Sequence, residues 1–318
     1  MKYRNLGNSD LEISAIGLGT WAYGDDTFGE VDDRQSIRAI KAAVDSGINL
    51  IDTAPAYGAG HAEEVVGQAI DGIRNKVVIA TKCGVHREGQ KYVNDLTPKR
   101  IRKEIEDSLR RLDVEQIDLY QIHWPDPDTP LKESVEELIK LKKEGKFKYL
   151  GVSNFGVDLM NQISEMTDII SLQPQYSLLR RDIEAEIIPY LRENNLGSLS
   201  YGTLGGGILS AKYKQRPEFN EEKDNRDGFY PFFKKENWPQ TQSLISLLED
   251  IADKYKKTPA QIAINWAIKR PGITTALVGA KNEKQAEENA AAADFDLREK
   301  DMQALTQESQ KVIKNLSV

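Results

Sequence analysis

Apolar residues along this chain come in short, nearly continuous runs separated by longer amphipathic stretches. The runs fall at 16–20 (IGLGT), 49–53 (NLIDT), 77–81 (VVIAT), 117–122 (IDLYQI), 149–153 (YLGVS), 169–173 (IISLQ), 197–201 (GSLSY) and 276–280 (ALVGA). Runs that are apolar throughout, instead of at every second residue, are how strands buried on both faces of a parallel sheet read. The stretches between them carry a helical period. At 32–47, Ile37, Ile40, Ala43 and Val44 share one face and Gly47 supplies a left-handed stop. At 97–113, Thr97 is placed to cap, and Pro98 to open, a helix whose apolar face holds Ile101, Ile105, Leu109 and Leu112. Similar patterns lie at 131–144, 157–166, 183–194 and 282–293. Eight strands alternating with helices, and no Pro-, Gly- or Ser-rich linker, predict one closed (β/α)8 TIM barrel of the α/β class over residues 1–318.

Three segments fall outside that alternation. The first ten or so residues, with turn signals at Asn5 and at 7–10, predict a small N-terminal hairpin placed to cap the barrel floor. The stretch 205–239 is too long for an ordinary connection. It reads either as a functional loop that closes over a ligand or as a static insert packed by Phe229, Tyr230, Phe232 and Phe233. Towards the end of the chain, TPAQIAINWAIKR and LREKDMQALTQESQKVI add extra C-terminal helices outside the barrel.

Composition narrows the partners. Lys and Arg number 43 against 50 Asp and Glu, so the net charge of −7 disfavours nucleic acid and anionic membrane surfaces. A single cysteine, Cys83, excludes an intrachain disulfide and any cysteine-based metal site, and no metal is expected. Neither a secretory signal nor a membrane-spanning run is present, so a cytoplasmic location is expected.

In a (β/α)8 barrel the chemistry gathers where the strands end. There this chain offers Asp52, Tyr57 in the following loop, Lys82, and His123 followed by Trp124. Singly, each has an ordinary reading: a turn aspartate, a surface lysine, a core histidine. Together they have a chemical logic. A phenol is too weak an acid to exchange protons easily at neutral pH, and a buried ammonium beside it favours the phenolate. A carboxylate keeps that ammonium charged and oriented, while an imidazole can hydrogen-bond and polarise a carbonyl oxygen. Such a group delivers a proton to a carbonyl while a cofactor delivers hydride.

The motifs GLGTW (17–21), GINLIDTAPAYG (47–58), IDLYQIHW (117–124), GVSNF (151–155) and GAKNEKQAEEN (279–289) occur in that order. With them the chain resembles the aldo-keto reductase superfamily from about residue 3 to residue 292. The resemblance implies that Tyr57 is the general acid of carbonyl reduction, that Lys82 and Asp52 tune it, and that His123 orients the carbonyl. It implies NADPH (NADP+) as cofactor, with NADH possible. Ser153, Asn154 and Gln173 are similar to residues that hold the nicotinamide carboxamide, and Tyr201 to the aromatic under the ring. Gly202, Leu204 and Gly206 belong to the loop over the pyrophosphate, and Gly279, Lys281, Asn282, Gln285, Glu288 and Asn289 to the adenosine end. Many relatives carry arginine where this chain has Gln285, so the reading of a 2′-phosphate rests on Lys281.

No Gly-x-Gly-x-x-Gly opens a strand–helix unit, which disfavours a doubly wound dinucleotide fold. Trp21, Tyr23, Phe28 and Trp124 stand near the same rim, either lining a substrate pocket or packing. Cys83 points away from Lys82 by strand alternation and reads as a buried small residue. The activity implied is reduction of a small-molecule aldehyde or ketone by a monomer. A sugar or polyol dehydrogenase of the same fold, and a cofactor-binding regulatory subunit of the potassium-channel β type, stay open.

Overall fold

The computed structural model describes residues 1–24, 28–29, 31–89, 91–219, 224 and 226–316. Its strands are β1 (Tyr3–Asn5), β2 (Glu12–Ser14), β3 (Ile16–Gly19), β4 (Leu50–Asp52), β5 (Val78–Cys83), β6 (Val85–Glu88), β7 (Lys91–Asn94), β8 (Ile117–Ile122), β9 (Phe147–Ser153), β10 (Ser171–Gln173), β11 (Gly197–Ser200) and β12 (Thr275–Gly279). The helices are α1 (Asp33–Asp45), α2 (His61–Ile70), α3 (Pro98–Leu112), α4 (Leu131–Lys143), α5 (Val157–Ser164), α6 (Ile187–Glu193), α7 (Arg226–Phe229), α8 (Trp238–Tyr255), α9 (Pro259–Ile268), α10 (Glu283–Ala290) and α11 (Glu299–Asn315).

Eight strands close a parallel barrel in the order β3-β4-β5-β8-β9-β10-β11-β12, with β12 pairing back onto β3. These are the eight apolar runs of the sequence, and the (β/α)8 barrel is the fold. Asp32 and Thr97 cap α1 and α3 by accepting from Gln35 and Arg100 backbone N–H groups, as short polar residues do at helix starts. The pattern at 183–194 divides into a 3-10 turn (Asp182–Glu184) and α6, because Pro189 has no N–H and tolerates only the first turn of a helix. Sequence reading did not resolve α2, α8 or the antiparallel hairpin β6–β7 set between β5 and α3. Part of the 205–239 stretch is ordered secondary structure: a 3-10 segment (Gly205–Ser210), α7, and the start of α8. Tyr230, Phe232 and Phe233 are buried in the core, but Phe229, which the packed-insert reading placed with them, is exposed at the surface. The run 221–227 lies largely outside the described residues. Helix α9 is buried from Ala260 to Ile268 within the helix layer, and α11 packs on α8 at the periphery.

Strand alternation divides the barrel interior into two levels. Leu50, Ala80 and Leu119 point inward and form an apolar layer with Leu199 and Leu277. Two residues further along the same strands, Asp52, Lys82 and Gln121 point the same way and form a polar layer above it. The N-terminal hairpin β1–β2 closes the other end, with Leu6, Leu11 and Ile13 packed onto the apolar layer. Gly7 makes that approach possible: its φ is +59°, and a Cβ there would lie 2.3 Å from the Ile170 carbonyl oxygen.

Candidate active site

Lys82 is fully buried at the centre of the polar layer. An ammonium has three hydrogens, and each finds an acceptor: Asp52 Oδ2 at 2.7 Å, the Thr53 carbonyl at 2.9 Å and Tyr57 Oη at 3.1 Å. Burial pulls the Lys82 pKa down, while the adjacent Asp52 carboxylate and the more distant Glu63 hold it up. Asp52 Oδ1 accepts from Gln173 Nε2 at 2.7 Å and Gln121 Nε2 at 3.3 Å, so both carboxylate oxygens are occupied. Desolvation makes an isolated buried charge very costly, and this ring of partners offsets that cost.

Tyr57 stands on a turn of unusual backbone. Gly58, Ala59 and Gly60 all have positive φ, and Gly58 abuts Gly24 so closely that a Cβ would lie 2.4 Å from the Gly24 carbonyl oxygen. The turn swings the phenol back over Lys82 before α2 begins. His123 follows β8, its N–H bonded to the Cys83 carbonyl, and its ring meets Tyr57 edge-on with centroids 5.9 Å apart. Burial, and secondarily the Lys82 ammonium, hold His123 well below the ordinary imidazole value, so it is neutral at pH 7. The four residues expected to act together are therefore in contact.

A cavity of about 720 Å³ opens above them and runs from Trp124 and Tyr57 to Lys281 and Asn289. Ser153, Asn154, Gln173, Tyr201, Gly202, Leu204, Gly206, Gly279, Gln285 and Glu288 line it, with Trp21 and Phe28. Several are already committed to one another. Asn154 donates from Nδ2 to the His123 carbonyl and Ser153 Oγ, and accepts from the Tyr201 hydroxyl, tying together the ends of β8, β9 and β11. Gln173 spends its amide nitrogen on Asp52 and Gln121, which leaves its oxygen for a ligand. Lys281 reaches across the cleft to the carbonyls of Phe28 and Gly29, and its backbone N–H is held by Gln285.

Two expected residues stand elsewhere. Tyr23 is a core residue, only 1% exposed, with its hydroxyl donated to the Ala280 carbonyl. The 3-10 turn Trp21–Gly24 sends Trp21 to the cavity and Tyr23 to the opposite side. Asn282 is the N-cap of α10, its oxygen turned to the Gln285 N–H, and is absent from the cavity wall.

Sequence reading missed Gln121, although its period-2 spacing from Leu119 marks it as inward. It missed Lys212 and Arg226, which line the cavity beside Gly206 and Gly207. Arg226 is buried, paired with Asp224, bonded to the Gly206 carbonyl and placed over Phe28 and Phe219 at 5.6 and 5.4 Å. It also missed the contribution of the β6–β7 hairpin, whose Val85, Tyr92 and Asn94 face the cavity.

A parallel barrel thus carries a buried carboxylate–ammonium–phenol cluster and a neutral imidazole at its carboxyl rim, beside a long cleft. The chain belongs to the aldo/keto reductase family, whose family model matches residues 15–309. It is 38% identical over 290 residues to the aldo-keto reductase YhdN of Bacillus subtilis, covering 90% of this chain and 87% of that protein. It is 34% identical over 318 residues to the NADH-specific methylglyoxal reductase of Escherichia coli, covering 95% and 96% of the two chains. Among solved structures it superposes on the glycerol dehydrogenase AKR11B4 of Gluconobacter oxydans with a TM-score of 0.89 and 38% identity, covering 99% and 97%. Among the described residues no helix is long and apolar enough to cross a membrane, and no cluster of His, Cys, Asp and Glu is suited to a metal.

Proposed function

We propose that this chain reduces aldehydes or ketones with NADPH, and that Tyr57 gives the carbonyl oxygen its proton. The observation that carries the reading is the triple bonding of Lys82. Its ammonium donates to Tyr57 Oη, so negative charge left on the phenol oxygen as the proton departs is met by a fixed cation. Asp52 and the Thr53 carbonyl keep that cation in place despite burial. Neutral His123 can give one hydrogen bond to the same carbonyl oxygen, which fixes its position and polarises it.

The cleft suits a dinucleotide phosphate. Gly206 and Gly207 leave bare backbone along it at φ of +68° and +99°, and a Cβ on Gly206 would crowd Tyr230 at 2.7 Å. Lys212 and Arg226 beside them would hold the diphosphate, and Ser153, Asn154, Gln173 and Tyr201 the nicotinamide. Lys281 would read a 2′-phosphate, with Gln285, Glu288 and Asn289 at the adenine. When bound, the nicotinamide supplies the hydride. The barrel's likeness to a glycerol dehydrogenase favours a second reading, in which the same site runs in the direction of polyol oxidation.

NADPH oxidation with a panel of aldehydes, set against NADP+ reduction with glycerol, tests the reaction and its direction. Absence of turnover in both directions overturns the reading. Replacing Lys281 with Ala is expected to weaken NADPH binding by about 1.5–3 kcal/mol and to leave NADH binding nearly unchanged. Equal losses in fluorescence titrations of the two cofactors would remove Lys281 from that role, as the NADH-specific relative makes a real alternative.

A further inference from the structure

Four large hydrophobic side chains are exposed among the described residues, and three of them, Tyr92, Trp124 and Phe229, line the cavity over Tyr57. Their exposures are 46%, 39% and 37%. Single exposed aromatics are ordinary, but three around the mouth of one cavity form a recognition surface. Trp21 extends it inward: it meets Phe229 edge-on at 5.0 Å and stacks on Tyr57 with centroids 6.0 Å apart. An apolar path thus leads from the mouth to the catalytic phenol.

The wall is built rather than incidental. Tyr92 is carried by β7, and two residues on Asn94 donates from its side chain to the Pro125 carbonyl, next to Trp124. Leu96 N–H is held by the Asp126 carboxylate in the same way, so hairpin and Trp124 loop dock as one unit. Arg87 lies over the Tyr92 ring at 5.4 Å. A surface fixed before binding loses little entropy when a flat ligand settles on it.

Its chemistry favours an aromatic ligand group. Of the lining cations, Lys212 stands beside Gly207 and Lys281 after β12, while Arg226, on the same short helix as Phe229, is tied to Asp224 and the Gly206 carbonyl. Val85 and Asn94 of the same hairpin line the cavity with Tyr92, and the Asn94 amide nitrogen donates to Pro125. An uncharged ring would cover aromatic surface and gain stacking contacts.

We propose that Tyr92, with Trp124 and Phe229, is the specificity-determining surface of the site, and that it selects carbonyl compounds bearing an aryl group a few atoms from the C=O. This rests on the carbonyl-reduction reading and names its substrate class. The decisive comparison is kcat/KM for 3-phenylpropanal, propanal and glyceraldehyde in wild type, Tyr92→Ala, Tyr92→Phe and Phe229→Ala. Wild type is expected to prefer 3-phenylpropanal to both others. The ratio of 3-phenylpropanal to propanal is expected to fall about three- to tenfold in Tyr92→Ala and Phe229→Ala, and to persist in Tyr92→Phe, which keeps the ring. An unchanged ratio in Tyr92→Ala, or a wild-type preference for glyceraldehyde, overturns the proposal. Calorimetric titration with the unreactive amides 3-phenylpropanamide and propanamide, in the presence of NADP+, separates it from the reaction itself. Tighter binding of the aryl amide that Tyr92→Ala abolishes sustains the surface even if no aldehyde turns over. Equal binding of the two amides sinks it even in an active reductase.

Discussion

At the scale of single residues the site is a problem of satisfying one buried ammonium. Lys82 has no contact with bulk water, and every one of its hydrogens is directed: one to charge, one to backbone, one to the Tyr57 phenol. Tyr57→Phe leaves the first two bonds and the packing in place and removes the proton donor alone. The variant is therefore expected to lose about 10²–10⁴ in kcat for carbonyl reduction while its NADPH dissociation constant stays within about twofold. Retention of most of the wild-type kcat would exclude Tyr57 as the acid. Asp52, Lys82 and His123 stand out in the sequence because each is a polar residue at the end of an apolar run, where a barrel displays its chemistry, and Tyr57 because it lies in the loop that follows Asp52. Gln121 hides inside its run, and Arg226 hides in a run of charges that reads as solvated surface until Asp224, Tyr213 and the Gly206 carbonyl are seen to enclose it. Tyr23 misleads in the opposite way: an aromatic in a rim loop looks like a pocket residue, and only the direction of a 3-10 turn sends it to the core.

Between residues and fold, the segment β5–β6–β7–α3 links Lys82 to the cavity mouth. Strand β5 carries Lys82, the chain turns at Gly84, and the hairpin rises to Tyr92 before α3 returns. Glu104 of α3 accepts the Gly84 N–H at 2.7 Å, fastening the base of the hairpin. Burial raises its carboxyl to about 7, against the lowering effects of that hydrogen bond and Arg100. An acid whose pKa is raised on folding stabilises the fold only while protonated. Its contribution is complete below the unfolded value near 4.5 and is lost as pH rises to about 7, a difference of roughly 3 kcal/mol. Glu104→Gln keeps an oxygen for Gly84 but cannot ionise. Urea unfolding at pH 5 and pH 8 is expected to show the variant gaining stability relative to wild type at the higher pH. A gap between the two proteins that is the same at both pH values would show that Glu104 does not ionise in this window. The barrel strands and most helices are legible because a period of burial is repeated along the chain. The hairpin is not: VHRE and KYVN are short, mostly exposed strands with one half-buried and one buried residue at best. Their order comes from docking on the Trp124 loop, a contact that sequence pattern does not encode.

For the molecule as a whole, stability and chemistry occupy opposite ends of one barrel. The lower interior is a layer of Leu50, Ala80, Leu119, Leu199 and Leu277, sealed by Leu6, Leu11 and Ile13 of the N-terminal hairpin. The upper interior is Asp52, Lys82 and Gln121, two residues further along three of those strands, joined by Gln173 of β10 in the cavity's polar network. Apolar packing below cannot respond to a ligand above except through the strands, whose ladders run unbroken around the closed sheet. Loss of packing at the floor should therefore cost stability without altering the site. Leu6 is the sharpest probe, being fully buried and seated against Gly197, where a Cβ would strike its side chain at 2.4 Å. Leu6→Ala removes that contact and opens a cavity under the apolar layer, with an expected loss of about 2–5 kcal/mol in urea unfolding. At 25 °C, where the variant is still folded, kcat/KM for an aldehyde and the NADPH dissociation constant are expected to match wild type within about twofold. A tenfold fall in kcat/KM in a folded Leu6→Ala protein would mean that the floor positions the polar layer, and that the two levels of the barrel are one mechanical unit.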